Sequence, residues 1–136
     1  MSFLVIVNIN FPETEISPVW LAFSLAYALV EGSADTLEVP SEDLSATVAY
    51  ASDNKIPPII LYDNVPGGAG LVARLEDKTV LYDCLSATLI RVDGGCGCGE
   101  NDSCYGCLRN YRNQFAHQHL QRGPVKKYLK MILQNW

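Results

Sequence analysis

No run in this chain is long enough to cross a bilayer. A spanning helix needs about twenty apolar residues, and the most apolar stretch, Trp20 to Val30, covers roughly half of that and reads as a buried helix. No basic region precedes the apolar N-terminal run, and Glu13 and Glu15 follow soon after it, which argues against a cleaved signal peptide. The expected setting is the cytoplasm, where thiols stay reduced, with no membrane partner. Known nucleotide signatures are missing as well. No G-K-[ST] follows the glycine-rich stretch Gly67-Gly68-Ala69-Gly70, so it is not a Walker loop, and the dinucleotide-binding glycine spacing is absent. No serine–histidine–acid set or carboxylate pair emerges. His117 and His119, two apart, cannot share one helix face and read as hydrogen-bonded packing or surface residues. There is no internal repeat, low-complexity tract or dividing linker. The 136 residues therefore read as one domain, with an α/β body over 1–95 and a cysteine loop and C-terminal helices over 96–136.

What the chain does have is a crowd of thiols. Cys96, Cys98, Cys104 and Cys107 follow the spacing C-x-C-x5-C-x2-C, two close pairs around a short polar loop. Such pairs can fold around a single tetrahedral ion. Disulfides fit less well, because pairs this close are awkward to bridge and no export signal is present. An iron–sulfur cluster uses the same ligand type, and spacing alone does not separate it from zinc. Structural Zn2+ is the favoured reading. A catalytic zinc keeps an open position, whereas four cysteines fill the shell, so the site reads as a clamp whose binding energy becomes folding energy. Cys104 and Cys107 are expected at a helix start, where backbone amides favour thiolates.

Apolar residues make up 49% of the chain and charged residues 18%, a globular composition. Phe3 to Ile9 reads as a buried strand, and so early a start points either to an imposed boundary at Met1 or to the edge of a larger polypeptide. Ser17-Pro18 supplies a helix cap and a proline at the first helical position, and Gly32 is placed to end that helix. Thr36 to Val39 and Ala46 to Tyr50 look like short strands. Ile56 to Tyr62 is the strongest strand, its two prolines outside the ladder or at an edge. Leu81, Cys84, Leu85, Thr88, Leu89 and Val92 recur at helical spacing, which predicts a helix over 77–92 with Cys84 in the core and not a fifth ligand. Residues 104–121 read as largely helical. Gly123-Pro124 begins a last helix with Val125, Tyr128, Leu129 and Ile132 as its apolar stripe. The fold class is α+β.

The glycine loop runs from the strand end at Asp63 through Gly67, Gly68 and Gly70 into a short helix. Glycines there allow positive φ and close approach, and tight strand–helix packing explains them better than an anion site. Asp63 either caps this turn or acts as a lone catalytic carboxylate. The loop is expected to face the cysteine cluster.

The net charge of −5 conceals a division. All acidic residues precede Cys104, while Arg109, Arg112, Arg122, Lys126, Lys127 and Lys130 lie in an acid-free C-terminal third. These six are candidates for a nucleic-acid or partner surface, with Tyr105 and Tyr111 available for stacking. The rival reading is that they balance the acidic body or face solvent.

Together, Leu61-Tyr-Asp-Asn-Val-Pro-Gly-Gly-Ala-Gly70, the Cys96-x-Cys98 pair and Cys104-Tyr-Gly-Cys-Leu-Arg-Asn-Tyr-Arg-Asn-Gln-x-x-His117 resemble the MrfA-type zinc-binding domain. The likeness spans about residues 17–131. It implies metal ligation by Cys96, Cys98, Cys104 and Cys107 and no catalytic residues. It also implies a place at the C-terminus of superfamily 2 DEAD/DEAH helicases or in DrmB-like proteins of the DISARM phage-defence system. The expected role is a non-enzymatic accessory of a helicase-type protein that assists nucleic-acid or partner binding in DNA repair or phage defence. The alternative is a small enzyme acting on a phosphorylated or nucleotide substrate through Asp63 and the glycine loop. Helicase motifs are absent here, so the chain is expected to be a stand-alone member, a fragment, or a subunit with a separate motor.

Overall fold

The computed structural model describes residues 3–6 (backbone), 16–49, 56–64 and 70–136. Its elements are β1 (Phe3–Ile6), α1 (Pro18–Leu37), β2 (Leu44–Val48), β3 (Ile59–Asp63), α2 (Lys78–Val92) and α3 (Arg122–Gln134), with three 3-10 segments at Ser41–Asp43, Val72–Glu76 and Tyr111–His119. The strands form one antiparallel sheet in the order β1-β3-β2. The class is α+β.

β3 lies at the centre, with Ile59–Tyr62 paired to β1 on one side and Ile59–Asp63 to β2 on the other. Pro57 and Pro58 stop short of its first paired residue, Ile59, so neither removes a donor from the ladder it shares with β1. Ile59, Leu61 and Asp63 alternate inward, opposite Val48, Ala46 and Leu44 of β2. α1 packs against the sheet with a nearly all-apolar surface, and α2 and α3 close the other side of α1. One hydrophobic cluster runs from Ala22 of α1 to Leu129 of α3.

Two expectations about α1 need correction. The helix does not stop at Gly32, and Thr36 and Leu37 form its last turn where a strand was expected. It ends instead at Glu38, which takes the left-handed conformation (φ 57°) and donates its N–H to the Ala34 carbonyl. Gly32 serves packing. It is buried opposite Thr88 of α2, where a Cβ would overlap the Thr88 hydroxyl and lie 2.7 Å from the Thr88 Cα. The glycine is thus the point where two helix backbones touch. Ser17 is extended as a cap residue should be, but its side chain makes no cap hydrogen bond; Pro18 alone marks the helix start. The second short strand appears at Leu44–Val48, slightly earlier than Ala46 to Tyr50, and Tyr50 lies outside the described residues.

α2 fits its periodicity. Asp77 caps it, accepting from the Thr79 and Val80 amides, and Cys84, Thr88 and Val92 are buried. Cys84 is 1% exposed and belongs to the core. α3 likewise buries Val125, Tyr128 and Leu129. A Gly32→Ala variant tests the helix contact. On an exposed helix that change would gain about 1 kcal/mol. Here overpacking against Thr88 should reverse the sign and destabilise the fold by about 1–3 kcal/mol, read from the urea unfolding midpoint at unchanged slope.

Candidate metal centre

The centre is assembled where α2 runs out. After Val92 the chain turns through Gly94 (φ 111°) and Gly97 (φ 90°), conformations that L side chains rarely adopt. The Gly97 amide donates to the Gly94 carbonyl at 3.0 Å, and the Asp93 carboxylate accepts from the Gly95 amide at 2.9 Å. This tight loop brings Cys96 and Cys98 onto one side. The second pair lies on a single turn: the Cys104 carbonyl accepts from the amides of Cys107, Leu108 and Arg109, and the Cys104 amide points at the Cys107 sulfur at 3.2 Å. The expected helix start at Cys104 is therefore an isolated turn. Asn110 interrupts it with an extended backbone (φ −145°, ψ −179°) and caps the 3-10 segment that follows, together with Asn113. Residues 104–121 are accordingly turns and a 3-10 segment kinked at Asn113, not a long helix. Gly106 lets the two pairs meet, since a Cβ there would stand 3.0 Å from the Cys96 Cβ.

The four sulfurs fit a tetrahedral ion. Cys96 and Cys98 are 3.5 Å apart, Cys98 and Cys107 3.8 Å, and Cys104 and Cys107 3.9 Å, and all four lie within 4.8 Å of one another. Zinc–thiolate bonds of about 2.3 Å imply edges of about 3.8 Å. The electrostatics ask for a cation too. Burial pushes the Cys107 thiol well above its ordinary range, with the neighbouring cysteines adding to the rise. Burial also opposes the Cys96 thiolate, but hydrogen bonds from Cys98, Cys104 and Cys107 outweigh it and bring that pKa down to about 7. Four thiolates at this spacing repel one another until a divalent ion is bound.

Arg122 holds the cysteine loop to the body. Its side chain is nearly buried (6% exposed), with Nε and Nη2 donating to the Cys98 carbonyl at 3.1 and 2.6 Å and Nη1 to the Val92 carbonyl at 3.2 Å. Its own amide donates to the Asp102 carbonyl, and the Gly123 amide to the Glu100 carbonyl at 2.8 Å. A side chain at Gly123 would strike that carbonyl, at 2.7 Å. Sequence reasoning counted Arg122 among surface cations and missed this role. The only local signal was its position just before Gly123-Pro124, at a helix start close in space to a metal loop.

The other cations divide. Arg109 bonds Ser103 Oγ at 2.9 Å and Asp102 at 3.2 Å, Arg112 bonds the Ser41 and Leu44 carbonyls and Ser45 Oγ, and Lys126 pairs with Glu100 at 3.3 Å. Lys127 and Lys130 are exposed. His117 packs inside: Nε2 lies 2.8 Å from Asn113 Oδ1 and 3.0 Å from the Asn110 carbonyl. Asn113 donates its amide to the Leu108 carbonyl, so both neighbours of Nε2 are acceptors and Nε2 carries the proton. His119 stacks on Trp20, with centroids 4.1 Å apart.

Asp63 is 2% exposed, and its Oδ1 accepts from the Val72 amide at 2.9 Å, as a turn cap would. Its Oδ2 has no partner among the described residues. Gly70 has the positive φ (70°) expected of the loop, while Gly67 and Gly68 lie outside the described residues, as does the question of which way the loop faces.

A family model described as the MrfA Zn-binding domain matches residues 25–108, more than half of the chain and all four clustered cysteines. Among solved structures, the fold is similar to the crystal structure of DUF1998 helicase MrfA bound to DNA, with a TM-score of 0.58 and 18% identity. That alignment covers 95% of this chain and only 15% of the helicase chain, so the likeness is one of fold. No curated protein matches.

Metal content tests the ligand set. Reduced protein should carry one zinc per chain by elemental analysis, Cys98→Ser should lose most of it, and Cys84→Ser should keep it while weakening the core by about 1–3 kcal/mol. Arg122→Lys should lower zinc affinity by about 10–100-fold in chelator competition, because a single ammonium nitrogen cannot reproduce the planar fork whose three nitrogens reach the Cys98 and Val92 carbonyls.

Proposed function

The chain belongs to the MrfA Zn-binding domain family, and from that footing we propose that it is a non-enzymatic, zinc-stabilised accessory module of a helicase-type protein. Cys96, Cys98, Cys104 and Cys107 hold the ion, which supplies structural cross-linking and no open coordination position. The observation that carries this reading is the closed four-thiol shell, 3.5–3.9 Å between adjacent sulfurs, tied by Arg122 to α2 and α3. Such a clamp stiffens a surface; it does not present a reactive metal.

The module serves in DNA repair or phage defence in a cytoplasmic setting where thiols stay reduced, and it assists contact with nucleic acid or with the motor. No described helix is long and apolar enough to cross a membrane. Of the six C-terminal cations, Lys127 and Lys130 are exposed and would contribute most to phosphate contact, because Arg109, Arg112, Arg122 and Lys126 already hold protein groups. The exposed rings of Tyr105 and Tyr111 would add stacking. An enzymatic role for Asp63 draws no support from its burial and its bond to the Val72 amide.

Fluorescence anisotropy with labelled single-stranded and duplex DNA tests the reading. We expect weak binding that falls steeply with salt, since each phosphate contact contributes a slope of about 0.7–0.9 in log K against log salt. Reversing both Lys127 and Lys130 to Glu should abolish it with zinc content intact. Zinc-loaded protein that binds neither DNA nor a DEAD/DEAH motor would sink the proposal.

A further inference from the structure

The two cysteine pairs are gripped alike. Arg122 reaches the carbonyl of Cys98, the second cysteine of its pair, and Arg91 reaches the carbonyl of Cys107, the second cysteine of the other. Arg91 stands next to last in α2, and its Nε donates to the Cys107 carbonyl at 3.3 Å. Among the described residues that carbonyl has no other hydrogen-bond donor, because the amides of the turn converge on the Cys104 carbonyl instead. Backbone groups withdrawn from water need partners, and here a side chain of α2 supplies one. Cys107 is the ligand for which this matters most. It is fully buried, and its sulfur lies 3.8 Å from that of Cys98 and 3.9 Å from that of Cys104. A shift of its backbone moves the sulfur through which one pair meets the other.

The far side of the Arg91 guanidinium is held as well. Nη2 lies 4.0 Å from Glu31 Oε2 and Nη1 3.9 Å from Asp35 Oδ2, carboxylates one turn apart on α1. Glu31 is the more buried of the two, its side chain 14% exposed against 58% for Asp35. Its other oxygen, Oε1, accepts from Asn110 Nδ2 at 3.5 Å, and Asn110 caps the 3-10 segment that leaves the metal turn. Glu31 therefore meets this region twice, through Asn110 and through Arg91. Two carboxylates leave Arg91 little net charge to lend to the thiolates, whereas Arg122 has no ion-paired carboxylate among the described residues. What Arg91 supplies is direction. Its rigid planar fork cannot keep both the carboxylates and the carbonyl if the Cys107 backbone moves.

We propose that Arg91 is a positioning residue of the metal centre and that Glu31 is the group that orients it. The Cys104–Cys107 pair is then set by α1 and α2, as the Cys96–Cys98 pair is set by Arg122 at the start of α3. This rests on the reading of the four cysteines as one zinc site and not on the helicase-module reading. The competing account is that Arg91, Glu31 and Asp35 merely tie two helices together. The two accounts differ in what happens at the metal: a tie between helices changes stability alone, whereas a positioning residue changes the affinity and geometry of one cysteine pair.

The test uses the full chain loaded with zinc for chelator competition, and with cadmium-113 to read its couplings to the β-protons of each cysteine. Arg91→Met should lower zinc affinity by about 10–100-fold, the usual range for losing an outer-shell partner. It should change the couplings of Cys104 and Cys107 and leave those of Cys96 and Cys98 as they are. Arg91→Lys keeps the charge and loses the fork, so its affinity should fall with that of Arg91→Met and respond little to salt. Glu31→Gln keeps an oxygen for Asn110 and loses the charge that orients Arg91. It should lose affinity in the same direction but by less, and adding it to Arg91→Met should cost nothing further. Asp35→Asn, at the exposed pair, should leave affinity unchanged. The proposal is overturned if Arg91→Met and Glu31→Gln lower the urea midpoint without changing affinity. It is also overturned if Arg91→Lys restores wild-type affinity, or if the couplings change equally at all four cysteines. Should Arg91→Met fail to fold, Arg91→Lys and Glu31→Gln decide by the same measurements. A wild-type chain that takes up no zinc counts against the metal reading itself, and that result is in hand before any variant is compared.

Discussion

A buried guanidinium, with no ion-paired carboxylate among the described residues, ties the metal loop to the helices on which it sits. Burying a charge is costly unless its hydrogen bonds are met, and Arg122 meets them with backbone carbonyls. The Val92 carbonyl is one of the orphan acceptors at the C-terminal end of α2, where the helix dipole favours a cation. The Cys98 carbonyl belongs to a residue whose sulfur joins the metal cluster, so the same side chain fixes the backbone of a ligand. Four thiolates around a divalent zinc leave two negative charges, and a buried cation beside them offsets part of that excess. Helix end, metal loop and the start of α3 thus depend on one another through a single side chain.

Glycine makes the same economy possible elsewhere. At Gly32 the backbones of α1 and α2 meet, at Gly106 the two cysteine pairs meet, and at Gly123 the start of α3 meets the loop carbonyl of Glu100. Each contact replaces a side chain with a hydrogen, which lets two segments approach more closely than a Cβ would allow. The metal loop buries few apolar side chains of its own. Its order comes from these contacts, from amides bonded to the Cys104 carbonyl, and from the ion.

The C-terminal cations change meaning once their partners are known. An acid-free stretch of sequence suggests a binding face, yet Arg109 reaches Asp102, Lys126 reaches Glu100, and Arg112 crosses to the Ser41–Ser45 region. Basic and acidic segments separated in the chain are neighbours in space. Among the described residues, the cations left exposed without a protein partner are Lys127 and Lys130, a small charge.

The sequence by itself determined whatever depends on local spacing. The four metal-ready cysteines, the core position of Cys84, the stripe of α3, the two prolines ahead of β3 and the proline start of α1 were all legible, because each follows from periodicity or from chemistry a few residues wide. The family was legible for the same reason. Only the tertiary structure decided what Gly32, Arg122 and Arg112 do. A glycine near a helix end reads as a stop until a second helix is seen against it. An arginine reads as surface charge until the carbonyls of Val92 and Cys98, many residues away, are seen around it. Those roles are set by backbone groups, which every residue carries alike, and a sequence does not record which of them will be left without a partner.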